Sequence, residues 1–140
     1  MKIKLITTTL FLLFFSSFKT ALCPPDTKIF ILRHEGYKPF EKIWEAVCFV
    51  ESTNNPLAYN AAEGATGIVQ IRQIKLDEYN QKTGNNYKIE DCFCHEFSKQ
   101  VFMWHMMSYG VGRWEEGVKR WNGKGRMTEV YLEKVKKVMQ

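Results

Sequence analysis

The sequence predicts a mainly α-helical protein built as a single domain, and three observations carry that prediction. Apolar residues recur at helical spacing in several separate stretches, no segment alternates convincingly between apolar and polar residues, and no repeat, linker or low-complexity tract divides the chain. The elements follow in order. Phe40, Ile43, Trp44 and Val47 fall on one face of a helix that Asn54, Asn55 and Pro56 stop. Gly64 and Gly67 flank a small-residue stretch running into Ile68, Val69, Gln70 and Ile71, where a short hairpin is the one strand-like feature expected. A short helix from Ile74 to Gln81 should end at Gly84 as its C-cap. Asp91 is placed to cap a helix in which Phe93, Phe97 and Val101 recur every fourth residue and Trp104 continues the face, with Gly110 and Gly112 breaking it. Trp114, Val118 and Trp121 mark a further helix before Asn122 and Gly123. The last begins at Thr128, with Tyr131, Val135 and Val138 inward and Glu133, Lys134, Lys136 and Lys137 outward.

The opening residues read as a leader rather than as part of this fold. Lys2 and Lys4 precede an apolar run from Leu10 to Phe15, and Ser16, Ser17, Thr20 and Ala21 follow it, which is the pattern of a secretory signal peptide. The run is shorter than the ~20 residues a membrane span needs, and no later segment approaches that length. The expected organisation is a signal peptide over 1–22, an N-terminal arm over 23–39 and a folded domain over 40–140. Cleavage near Ala21 or Cys23 leaves roughly 118 residues, enough for one core. It also removes three lysines and no acid, taking the formal charge from +5 to about +2. So mild a charge argues against dedicated nucleic-acid binding.

Export makes disulfides available to Cys23, Cys48, Cys92 and Cys94. A bridge from Cys48 to Cys92 or Cys94 is one reading, and buried free thiols are the other. A metal site of Cys92, Cys94 and His95 lacks a second ligand cluster at zinc spacing, so no metal is expected. Cys23 could instead carry a lipid, against which Leu22 is bulky where a small residue belongs.

Glu51 is the residue out of place. At 100° per residue it lies within about 20° of Phe40 around the helix axis, between Trp44 and Val47 on the apolar stripe. A carboxyl group in an apolar surround resists ionisation and can hold a proton near neutral pH. That is what general-acid cleavage of a glycosidic bond requires. The plain alternative is a last-turn glutamate whose head reaches water.

The residues after Glu51 bear on that choice. Glu51-Ser52-Thr53-Asn54-Asn55-Pro56-Leu57-Ala58, followed by Gly64-Ala65-Thr66-Gly67-Ile68-Val69-Gln70, resembles the lytic transglycosylase domain, a branch of the goose-type lysozyme-like family. The family pattern is a catalytic Glu-Ser, an Asn-Pro-x-Ala-like stretch and Gly-Ala-x-Gly-Leu-Met-Gln, with Ile68 and Val69 here in place of Leu-Met. Trp121-Asn122-Gly123-Lys124 is similar to the family's Tyr-Asn-Ala-Gly, and Tyr131-Leu132-Glu133-Lys134-Val135 to its closing helix. The motifs stand in family order from about Phe40 to Met139.

The resemblance implies a compact lysozyme-like lobe with a substrate cleft, Glu51 as the catalytic acid, and Ser52, Gln70, Trp121, Asn122 and Tyr131 around the substrate. Bland readings stand beside these: a backbone contact for Ser52, a core amide for Gln70, and core aromatics for Trp121 and Tyr131. His95 and His105 read as structural. Between Ser52 and Leu76 the one acid is Glu63, in a turn where solvation is expected. With a single carboxylate the implied reaction is cleavage of the MurNAc–GlcNAc bond of peptidoglycan with formation of a 1,6-anhydromuramic end, a lyase reaction needing no cofactor. The implied location is the periplasm or cell envelope, with glycan strands as partner and a cell-envelope assembly as a further candidate partner. A two-carboxylate muramidase and a non-catalytic glycan-binding component are the alternatives.

Overall fold

In the computed structural model, which describes residues 22–29 and 38–140, the stripe of Phe40, Ile43, Trp44 and Val47 is the buried face of α1 (Lys38–Ser52). Its acids and lysine, Glu41, Lys42 and Glu45, are exposed, as the apolar period requires. The helix ends in an αL-type closure: the Thr53 N–H donates to the Phe49 carbonyl at 2.9 Å, and the Asn54 N–H reaches back to that of Cys48 at 3.2 Å. Thr53 and Asn54 take left-handed backbone there, with φ of 55° and 62°.

The remaining elements are β1 (Tyr59–Asn60), β2 (Ala65–Thr66), α2 (Gln73–Thr83), a 3-10 turn (Ile89–Phe93), α3 (His95–Met107), a second 3-10 turn (Val111–Arg113), α4 (Trp114–Asn122) and α5 (Met127–Met139). β1 and β2 pair antiparallel, Tyr59 opposite Thr66 and Asn60 opposite Ala65. α1 lies chiefly against α5, which also packs on α4; α3 joins α2, α4 and α1. Together they close on one core that includes Phe40, Val69, Leu76, Phe97, Phe102, Trp121 and Val135. The mainly α, single-domain expectation holds among the described residues. No helix among them is long and apolar enough to cross a membrane. Residues 1–21 of the expected signal sequence and 30–37 of the expected arm lie outside the described residues, while Lys38 and Pro39, expected in the arm, belong to α1.

Several local expectations need correction. The hairpin lies before Ile68–Ile71, which keeps a single bridge between Thr66 and Ile71; strands of two residues are too short to show alternation. Asp91 caps the 3-10 turn, its carboxylate accepting the Lys88 N–H at 2.8 Å, while Cys94 stands at the N-cap of α3. Val138 is exposed on α5, and Leu132 takes the inward place beside Tyr131 and Val135. Neither proposed Cys48 bridge forms. Cys23 pairs with Cys94, and Cys48 and Cys92 are buried free thiols. With its sulfur in a disulfide, Cys23 has none for a lipid thioether, and Cys94 has no thiolate for a metal.

The disulfide fixes residues 22–29 against α3 and the segment after α2. The Lys28 N–H donates to the Gln100 Oε1, and the Tyr87 hydroxyl to Asp26. Gln100, itself buried, donates in turn to the Tyr79 hydroxyl at 2.6 Å.

Gly67 is the most closely packed of the described glycines. Its φ is +80°, and a Cβ there would overlap the Cys92 carbonyl oxygen. The substitution Gly67→Ala should destabilise the protein by about 2–4 kcal/mol, combining left-handed strain with overpacking. Chemical unfolding checks this, and a loss below about 1 kcal/mol would mean that the loop yields at little cost.

Candidate active site

Glu51 occupies the last turn of α1 where the helix meets α5, half-withdrawn from water. Its Oε1 accepts a 2.7 Å hydrogen bond from the Tyr131 hydroxyl, across 80 positions of sequence. Burial pushes the Glu51 pKa above its ordinary 4.5, the nearby Glu63 charge pushes the same way, and the Tyr131 bond and the Arg72 charge oppose them. Burial and the Glu51 charge together push the Tyr131 phenol far above its usual range, so it stays a neutral donor. With Oε1 engaged by that donor, Oε2 is the oxygen left to carry Glu51's proton.

The neighbouring loop is built by backbone geometry. Ser52 Oγ donates to the Ile68 carbonyl at 2.7 Å and accepts the Asn55 N–H at 3.0 Å, pinning the helix end to the loop. Gln70 takes φ of 52°, uncommon for a side chain with a Cβ. Its amide holds that shape by donating to the Gly67 carbonyl at 2.9 Å and to that of Ala58 at 3.3 Å. Ser52 and Gln70 thus tie this loop to the end of α1 and hold its shape.

Arg72 follows directly on this loop and was not anticipated. One of its nitrogens donates to the Asn122 carbonyl at 3.0 Å, and another lies 4.0 Å from a Glu63 carboxylate oxygen. A cation shared by Glu51, Glu63 and the end of α4 therefore organises this side of the site. The signal available was its position, an arginine following an apolar run at the start of a helix. Glu63 is exposed in its turn, as expected, yet close enough for its charge to act on Glu51.

The other expected site residues divide. Asn122 is half-buried at the end of α4, tied in through its carbonyl. Tyr131 combines both readings, a buried ring with its hydroxyl on Glu51. Trp121 is corrected from substrate platform to core. It is 4 % exposed, its ring meets Phe102 and His105 edge-on, and its Nε1 donates to the Val69 carbonyl at 3.2 Å. Its place is to brace the Val69–Gln70 loop from behind. His105 is buried against the Gly117 carbonyl, and burial lowers its pKa to about 4, leaving a neutral structural ring. His95 packs edge-on against Trp44.

No family model, no curated protein and no solved structure matches this chain.

The raised Glu51 pKa has a sign that stability can read. The native state holds this proton more tightly than the unfolded chain, so the wild type loses stability as pH climbs from 4.5 through the folded pKa, then levels off. Glu51→Gln removes that loss, and its stability relative to wild type should grow across the same window. A pH-independent difference between the two unfolding curves would contradict a desolvated Glu51. In Tyr131→Phe the carboxylate loses a donor, so an NMR titration of labelled glutamate carboxyls should show Glu51 titrating higher than in wild type. A downward or absent change would show that the Tyr131 bond does not stabilise the ionised form.

Proposed function

We propose that this chain is an exported peptidoglycan lytic transglycosylase, cutting between MurNAc and GlcNAc with Glu51 as general acid and then general base. The observation that carries the reading is the desolvated Glu51 carboxyl with its raised pKa, held by Tyr131 on one oxygen. The ordered motifs around Glu51, Gln70 and Asn122 support it, and a lysozyme-like lobe with a cleft is part of the proposal. The Cys23–Cys94 disulfide agrees with an oxidising compartment such as the periplasm or cell envelope.

In this mechanism Glu51 gives its proton to the leaving glycosidic oxygen as the bond to the muramic C1 breaks, and the sugar's N-acetyl oxygen shares the developing positive charge. Glu51, now a carboxylate, is stabilised by Tyr131 and the Arg72 charge. It takes the proton of the muramic 6-hydroxyl, whose oxygen bonds to C1 and closes the anhydro ring. Atoms balance without water. The muramidase reading keeps one specific support: Glu63 is close enough to influence Glu51 and sits beside Arg72. As helper it would activate water and leave a reducing end.

Mass spectrometry of products from purified peptidoglycan separates the two, because anhydro ends are lighter than reducing ends by one water. Anhydro ends are expected, and reducing ends would move the assignment to the hydrolase. Glu51→Gln should lower cleavage of sacculi about 10²–10⁴-fold with the fold retained. Residual activity within about tenfold would remove Glu51 from the acid's role. Glu63→Gln should change the rate less than about threefold, the range of ordinary surface substitutions. A loss of several orders of magnitude in that variant would make Glu63 a reacting group.

The activity–pH profile should fall on the alkaline side, with an apparent pKa above the ~4.3 of a free glutamate. Full activity persisting well above neutral pH would exclude Glu51 as the general acid.

A further inference from the structure

A groove of about 720 Å³ runs between α2, the end of α3 and the turn after α4, and Glu51 is not among its walls. Five of its lining side chains are cationic, Arg72, Lys75, Lys82, Arg120 and Lys124, against the single carboxylate of Glu78. On α4 and α5, Lys119 meets Glu116 and Glu129, and Lys136 meets Glu115 and Glu133. Of the groove's five cations, Arg72 alone has an ion pair among the described residues, with Glu63 at 4.0 Å.

Lys75 shows the effect most clearly. Its ammonium donates to the Arg120 carbonyl at 3.0 Å and lies 5.9 Å from the Trp121 ring centroid. Burial, and then the Arg72 and Arg120 charges, lower its pKa against the opposing pull of Glu78. Cations gathered on one concave wall repel each other, and the low-dielectric protein behind them focuses their field into the groove. An anion entering it relieves that repulsion. Between the charges the wall is apolar and aromatic, with Trp104, Tyr109 and the exposed Ile74. Separated charges with apolar ground between them suit a ligand carrying discrete carboxylates on a short chain of methyl and methylene groups. A continuous polyanion would need a longer track of cations.

Arg72 joins this groove to the candidate acid, since it lines the groove, bonds the Asn122 carbonyl and acts by its charge on Glu51. In a peptidoglycan strand, carboxylate-rich peptide stems hang from the muramic residues, one of which holds the bond to be cut. We propose that this groove binds the carboxylates of those peptide stems, so that the enzyme recognises peptide-bearing strands. The inference rests on the glycan-cleaving reading of Glu51 and adds a second recognition site to it.

The probe is an N-acetylated stem tetrapeptide, acetyl-L-Ala-γ-D-Glu-meso-diaminopimelyl-D-Ala, whose three carboxylates outnumber its one ammonium, titrated calorimetrically into the purified protein and into the Lys82→Glu/Lys124→Glu double variant. Both lysines are exposed, which keeps the risk to folding low. The wild type should bind the peptide, more weakly at about 0.5 M salt, and the double variant should bind it about tenfold or more weakly. In parallel, wild type and variant are given peptide-bearing sacculi and amidase-stripped glycan. The variant should slow severalfold on the first and not on the second. Absent or salt-insensitive peptide binding, equal binding by the variant, or equal slowing on both substrates each overturns the proposal. So does binding of a phosphate-rich wall polymer where the peptide fails. Should wild type cleave neither substrate, the enzyme reading falls on that result, while peptide binding by the groove decides this inference separately.

Discussion

Glu51 lies where α1 turns its apolar face onto α5, and burial there withdraws the carboxyl from water. A carboxyl so placed needs a neutral donor, walls that exclude solvent and a counter-charge nearby, or it destabilises the fold. Tyr131 supplies the donor from α5, reaching the site only because α1 and α5 pack together. Arg72 supplies the charge from the segment just before α2. The features that make Glu51 chemically useful are therefore the ones that make its burial tolerable. They depend on a single packing arrangement.

The loop beside it is held from three sides. Ser52 grips the Ile68 carbonyl from α1, and Trp121 grips that of Val69 from the core. Gln70 closes the loop on itself through Gly67 and Ala58. Behind Gly67 lies the Cys92 carbonyl, which also accepts a 2.6 Å bond from Ser98 Oγ of α3. Left-handed backbone at Gln70 is a local strain of the kind that persists only when the surroundings over-determine it, and here they do.

Much of this was legible in the sequence, for identifiable reasons. The α1 stripe and the intrusion of Glu51 follow from helical period alone, and Gly84 announces its C-cap because its φ of 74° favours a glycine. What was not legible is long-range or rests on few residues. The Cys23–Cys94 bond spans 71 positions and leaves no periodic trace. Arg72 acts through partners in three different elements. Trp121 was ambiguous because an aromatic at helical spacing reads alike as core or platform, and only its neighbours Phe102, His105 and Val69 settle that it is core. Val138 fell on the inward period but sits in the last turn of α5, exposed at a surface hollow that it shares with Lys42 and Phe49 of α1.

The arrangement of the cysteines bears on how the chain acquires its covalent form. Cys48 and Cys92 both lie between Cys23 and Cys94 along the chain, so each is a competing partner for Cys23 while the chain is unfolded. Packing removes both competitors, since each is buried and burial pushes its thiol up to about 12, where almost no nucleophilic thiolate remains at neutral pH. Native packing thereby acts as a proofreader of oxidation: the correct bond is kept once the core has closed over the alternatives.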